Sequence, residues 1–260
     1  MSQKIVVNPN YPTTTQEIEQ TIKQYDTITD YVAKGDRNSI KKIKLASGKV
    51  ATIKSFKIPN IVNKFVYRFF RDSKANRSYE YAKKLIDLGF LTPYPIAYVE
   101  ENTPLQFLNS FYFCEMVEAD LTYREMVHDI KWPNRTEILK QFTHFTYRLH
   151  EAGIEFLDHS PGNTLIKKVG DNQYDFYLVD LNRMNFHDVM DFDTRMKNFS
   201  RLTPHQEMVE IMAKEYAKLI GKPEQEVIDA MWNKTTEFQE QFHLKQQRKK
   251  KLKAIIGKKK

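Results

Sequence analysis

The chain has 260 residues, 41% hydrophobic and 28% charged, which is the composition of a globular protein with room for one large domain or two lobes. No run of about 18 apolar residues occurs, so no membrane span is expected, and the opening Met1 to Asn8 lacks the apolar stretch of a signal peptide. Cys114 is the only cysteine, which excludes an intrachain disulfide and fits a reducing cytosol. The net charge of +8 is local. Lys245 to Lys260 holds nine Lys or Arg and no acid, so of 41 basic and 33 acidic groups the remainder has 32 against 33.

Residues 1–26 are polar with scattered prolines and read as an irregular lead-in. Ser39 to Leu45 and Val50 to Phe56 flank Ala46-Ser47-Gly48 and read as a hairpin. From Asp72 to Leu88 the spacing of Tyr81, Leu85 and Leu88 predicts a helix, stopped by Gly89. Thr92-Pro93-Tyr94-Pro95 forces an extended connection, and Ile96 to Glu100 and Ser110 to Val117 read as strands. Thr136 to Gly153 is a long amphipathic helix carrying Ile138, Leu139, Phe142, Phe145 and Leu149. Thr164 to Lys168 and Asp175 to Val179 form a short hairpin, and Pro204 to Ile220 and Pro223 to Leu244 read as helices. Strands first and helices second is an α+β pattern. The expected divisions are a lead-in at 1–26, a sheet-bearing lobe at 27–118, a helical lobe at 119–244 and a basic tail at 245–260.

The chemistry is concentrated in Asp158-His159-Ser160-Pro161-Gly162-Asn163, a short apolar run, a turn, and Tyr177-Leu178-Val179-Asp180. Asp, four residues, Asn, then a strand-end Asp is the acceptor order that magnesium-dependent phosphoryl transfer uses. One carboxylate takes the proton of the attacking hydroxyl, while an amide and a second carboxylate hold the metal on nucleotide phosphates. Alone, Asp-x-x-x-x-Asn is weak, because both are ordinary loop residues. Val50-Ala51-Thr52-Ile53-Lys54 adds a strand lysine for the α- and β-phosphates, and Glu80, mid-helix, is the carboxylate expected to hold it. Each has a bland counterpart: Lys54 an exposed strand lysine, Glu80 an exposed helix residue, Asp158 a loop cap. All three failing together, in this order along the chain, is the poorer account. His144, His150 and His159 make no zinc-type spacing. His150 reads as a packed helix-end residue, His159 as a loop histidine without a role, and Cys114 as a small core residue. No Gly-x-x-x-x-Gly-Lys-Ser/Thr is present, which excludes a P-loop.

These residues resemble the protein-kinase-like superfamily and, more closely, the lipopolysaccharide core kinases (Kdo/WaaP, InaA-like). The likeness runs through Lys54-Ser55-Phe56-Lys57-Ile58-Pro59, Phe70 to Glu80, and Gly89 with Thr92-Pro93-Tyr94-Pro95-Ile96-Ala97. It implies a bilobal kinase-like fold with ATP and Mg2+ between the lobes and transfer of the γ-phosphoryl group to a hydroxyl of a Kdo or heptose sugar. Carried over by motif, Asp158 is the base, Asn163 and Asp180 the magnesium ligands, and Lys54 the phosphate contact held by Glu80. Phe113 to Val117 is the hinge, with main-chain groups of Glu115 and Val117 meeting adenine. Several positions depart from the family pattern. Phe156 replaces the usual histidine, Asp180-Leu181-Asn182 lacks the glycine, Gly35-Asp36-Arg37-Asn38 has a single glycine, and no Ala-Pro-Glu follows Asp180. Those departures keep open a nucleotide-binding pseudokinase scaffold, and the basic tail alone keeps open a kinase of protein or RNA-associated substrates. A glycolipid acceptor places the protein in the cytoplasm, peripheral on the inner membrane. The tail reads as a solvated end, as a contact to anionic lipid or, ranked lower, as a contact to nucleic acid.

Overall fold

The structure is a computed structural model that describes residues 2–34, 38–56, 67 and 71–257. It divides into two compact units, Met1–Glu118 with Tyr177–Arg183, and Ala119–Phe176 with Met184–Lys260.

The first unit is a six-stranded antiparallel sheet. Its strands are β1 (Ser2–Val7), β2 (Tyr31–Lys34), β3 (Asn38–Lys44), β4 (Val50–Phe56), β5 (Pro95–Asn102) and β6 (Phe107–Glu115), in the order β1-β5-β6-β4-β3-β2. Helix α1 (Thr15–Lys23) buries Ile18 and Ile22 in a cluster with Ala97, Val99, Phe111 and Phe113. Helix α2 (Lys74–Asp87) packs on the other face, where its Tyr79 meets Tyr98 at 5.3 Å. Successive strand residues alternate sides, so Tyr98 and its neighbours Ala97 and Val99 serve two helices. Ser73 caps α2 by accepting from the Asn76 amide, and Gly89 at φ 79° ends it.

The expected irregular lead-in is corrected here. Ser2–Val7 is an edge strand in register with β5, Ile5 opposite Val99 and Val7 opposite Ala97, and α1 follows it. Helix α1 holds only two buried apolar residues among Gln, Glu and Thr, so its local pattern is faint. Burial against the sheet stabilises it more than propensity does. Strand β2 was also unread, and its residues are exposed at the opposite edge.

The second unit is mainly helical. It contains β7 (Leu121–Thr122), α3 (Tyr123–His128), α4 (Arg135–Glu151), β8 (Ile154–Phe156), β9 (Thr164–Gly170), β10 (Gln173–Leu178, whose end enters the first unit), β11 (Met184–Phe186), α5 (Phe192–Phe199), α6 (Gln206–Ile220) and α7 (Glu224–Gly257). The expected stripe of α4 is buried as read, with Phe142 against Tyr123 at 4.5 Å. Helix α7 runs past the expected end at Leu244. Val227, Met231 and Thr235 anchor it, and residues 240–252 are exposed. Gly153 lies between α4 and β8 at φ 71°, and a Cβ there would stand 1.9 Å from the His187 carbonyl oxygen. Only glycine fits both the backbone and the space. The α+β organisation expected from the sequence is the observed one.

Candidate active site

In the first unit, β4 carries Lys54 between β3 and β6, opposite Ile40 and Tyr112. Its Nζ lies 2.6 Å from Asp180 Oδ1, with the two side chains 13% and 30% exposed. Asn182 Nδ2 donates to the same oxygen. Asp180 adopts a left-handed backbone at φ 62°, uncommon for a residue with a Cβ. Its surroundings impose this. The Leu178 amide donates to the Leu91 carbonyl at 3.1 Å, Thr92 Oγ1 donates to the Leu178 carbonyl at 2.8 Å, and Leu181 and Asn182 are buried. The Thr-Pro-x-Pro stretch thus has a structural task, holding the strand that ends in Asp180. Lys74, first residue of α2, has its ammonium pKa lowered by burial and then by Arg183, with Arg77 and Lys54 acting the same way and Asp180 opposing. Lys74 thus stands among like charges, with Asp180 the opposing one. Lys74 lies in the family-like stretch Phe70 to Glu80, but the sequence assigns neither it nor Arg183 a role at the site.

Glu80 does not join this group. Its side chain is 54% exposed and lies 3.8 Å from Lys83. The buried stripe of α2 is Ala75, Ser78, Tyr79, Ala82 and Leu85, and Leu88 is exposed. The stripe expected from Tyr81, Leu85 and Leu88 was rotated by about one residue, which is enough to move Glu80 to the outer face. In this structure Lys54 takes its carboxylate from Asp180. At the expected hinge, the Glu115 amide donates to the Tyr94 carbonyl at 2.9 Å and the Met116 amide to the Val50 carbonyl at 3.1 Å. Neither amide remains for a ligand, and the Val117 amide has no such bond among the described residues. Residues 35–37 of the expected phosphate loop lie outside the described residues, as do 57–59 and 70 of the family-like stretches and 258–260 of the tail.

In the second unit, β8 leads into the loop of Asp158. The His159 amide donates to the Phe156 carbonyl at 3.0 Å, and Asn163 closes a 3-10 turn (Pro161–Asn163) with its amide on the Ser160 carbonyl at 2.9 Å. Asn163 Nδ2 donates to the Asp158 carbonyl at 2.8 Å. With its nitrogen spent on the loop, its Oδ1 is the end left to accept or to ligate. Phe156, in place of the usual histidine, is fully buried beneath the loop and lies 5.7 Å from the His159 ring. His159 is buried as well, 5.4 Å from Phe142, and burial pushes its pKa down to about 4. Two further side chains grip the loop. Asn198 Nδ2 donates to the Phe156 carbonyl at 2.9 Å, and Arg201 Nη1 donates to the Leu157 carbonyl at 2.8 Å and to Asp158 Oδ1 at 3.0 Å. Asn198 is braced by His150, whose other ring nitrogen meets Tyr216 OH at 2.8 Å. Burial lowers the His150 pKa to about 3, so the ring is neutral and both contacts are hydrogen bonds between uncharged groups. His150 is the packed helix-end residue the sequence suggested. Asn198 and Arg201 carry no local signal of a role.

The donors fit magnesium by their chemistry. Asp180 and Asn163 offer hard oxygen ligands, and one or two protein oxygens completed by phosphate is the usual magnesium arrangement. Among the described residues no cluster of three or more His, Cys, Asp or Glu could hold a metal by itself.

Comparison with known proteins supplies the remaining observation. The lipopolysaccharide kinase (Kdo/WaaP) family matches residues 58–222, more than half of the chain. The chain belongs to this family. It is therefore a kinase, and the matched span includes Asp158, Asn163 and Asp180. A solved structure described as WaaP in complex with acyl carrier protein is similar at TM-score 0.62 and 14% identity, covering 92% of this chain and 97% of that one. At that identity the likeness is one of fold, and it makes the fold of this lipopolysaccharide kinase family member kinase-like. The Rio2 kinase-ADP/Mg2+-phosphoaspartate complex from Chaetomium thermophilum matches at TM-score 0.46 and 15% identity, over 86% of this chain and 75% of that one. No curated protein matches.

Proposed function

We propose that the chain transfers the γ-phosphoryl group of ATP to a hydroxyl of a Kdo or heptose sugar in the lipopolysaccharide inner core. The observation that carries this is the family match over residues 58–222, within which the Asp158–Asn163 loop is folded on itself by the Asn163-to-Asp158 hydrogen bond. Asp158 accepts the proton of the attacking hydroxyl as its oxygen bonds to the γ-phosphorus. The bond from that phosphorus to the bridging oxygen breaks, and ADP leaves with the electron pair. Lys54 would contact the α- and β-phosphates, and Asn163 and Asp180 would hold Mg2+. When bound, the ion neutralises phosphate charge. The Val117 amide and Glu115 carbonyl are the main-chain groups offered to adenine.

The test is radiolabelled transfer from γ-labelled ATP to extracted inner-membrane glycolipid, with soluble sugars and a generic protein as controls. Label should enter the glycolipid, and Asp158→Asn should abolish it. Transfer that survives Asp158→Asn refutes the base assignment. A second reading, a pseudokinase scaffold, is favoured by one observation: Asp180 Oδ1 already takes both Lys54 and Asn182. Magnesium-dependent ATP turnover by the pure protein excludes it.

No helix among the described residues is long and apolar enough to cross a membrane. We assign the exposed basic end of α7 to the anionic inner-membrane surface, where each basic residue contributes on the order of 1 kcal/mol. Removing residues 245–260 should abolish binding to anionic vesicles without changing soluble ATP turnover. Binding to RNA in place of vesicles would refute this assignment.

A further inference from the structure

The four residues between Asp158 and Asn163 are His159, Ser160, Pro161 and Gly162, and the one titratable side chain among them is a histidine that burial keeps neutral. The loop therefore brings no cation of its own to the carboxylate. Arg201, 43 residues along the chain, brings one, with Nη1 at 3.0 Å from Asp158 Oδ1 and 2.8 Å from the Leu157 carbonyl. One nitrogen thus ties the Asp158 side chain to the main chain immediately before it. Three residues earlier, Asn198 holds the Phe156 carbonyl. Asn198 sits in the last turn of α5 and Arg201 in the turn after it, so this stretch grips residues 156, 157 and 158 in succession. The guanidinium lies 5.5 Å from the Phe238 ring of α7. Asp158 is 13% exposed, so its partner sets where the carboxylate points more than water does.

We propose that Arg201 is the positioning residue of the base. It anchors Oδ1 to the main chain of the loop, which sets the direction of the carboxylate, and its charge is brought to the carboxylate from outside the loop. This inference rests on the assignment of Asp158 as the base. A charge-assisted hydrogen bond of this kind corresponds to about 10- to 100-fold in rate.

The experiment compares four proteins for label transfer to extracted glycolipid: wild type, Arg201→Met, Arg201→Lys and Asp158→Asn. Methionine keeps the packing on Phe238 and removes the donors. Arg201→Met should lower kcat about 10- to 100-fold with KM for ATP unchanged, and the two lost hydrogen bonds should lower the melting temperature by roughly 2–8 °C. Arg201→Lys should recover most of that loss, because a single nitrogen makes both bonds. Arg201→Met at wild-type kcat with Asp158→Asn inactive overturns this inference and leaves the base assignment standing. A fall in kcat that lysine does not rescue also overturns it, showing a structural role only. Asp158→Asn that remains active, or wild type that transfers nothing, overturns the base assignment and this inference together.

Discussion

Replacing Lys54 with methionine separates two tasks that one side chain performs. Its ammonium is 2.6 Å from Asp180 Oδ1 and 5.3 Å from the Phe56 ring centroid, so methionine keeps the apolar stem and deletes the charge. Asp180 is left in its left-handed backbone with Asn182 Nδ2 still donating. Losing one charge-assisted bond to a carboxylate that still meets water costs about 1–2 kcal/mol. For a chain of this length that is a fall in melting temperature of roughly 2–8 °C. The ligand effect is separate. At nucleotide near 100 times its Kd, bound ATP and magnesium stabilise the wild type by about 2.7 kcal/mol. If Lys54 contacts the phosphates, affinity drops about 10- to 100-fold, and the same nucleotide stabilises the variant by only about 0.4–1.4 kcal/mol. Thermal melts with and without ATP and magnesium read both quantities in one series. A lowered baseline with the full nucleotide-induced shift refutes the phosphate contact and leaves Lys54 as a partner of Asp180 alone.

Two predictions concern the frame around the loop. Gly153→Ala meets both a left-handed backbone and the His187 carbonyl at 1.9 Å, so a loss of about 3–4 kcal/mol is expected, read as a lower urea midpoint at unchanged slope. His150 and His159 are neutral in the fold because burial lowers their pKa to about 3 and about 4, whereas the unfolded chain protonates them near pH 6.5. Their stabilisation is complete above that pH and drains as pH falls towards 4 and 3, about 4 kcal/mol in total by pH 5. His159→Leu should halve that acid slope with no loss at pH 7.5, since neither ring nitrogen has a hydrogen-bond partner among the described residues. An unchanged slope refutes the account of His159.

Much of the architecture was legible because it is written at short range. The β3–β4 hairpin announces itself through Ala46-Ser47-Gly48, and α4 through apolar residues at three and four with a glycine stop. The long second half of α7 and the strand β1 were harder. The former has no apolar stripe to mark its length, and the latter's pattern acquires meaning only beside Val99 and Ala97.

The same division runs through the site. Residue types and their order along the chain single out Asp158, Asn163, Asp180 and Lys54, because a phosphoryl-transfer set is recognised by kind and sequence order. Which carboxylate Lys54 meets was a matter for the tertiary structure. A helix turns 100° per residue, so a one-residue error in the buried stripe of α2 carried Glu80 away from the sheet and left Asp180, 126 residues beyond Lys54, as the partner. Asn198 and Arg201 became part of the site for the same reason. Their bonds to residues 156–158 span more than 40 positions, and no periodicity within a helix records what its end will touch.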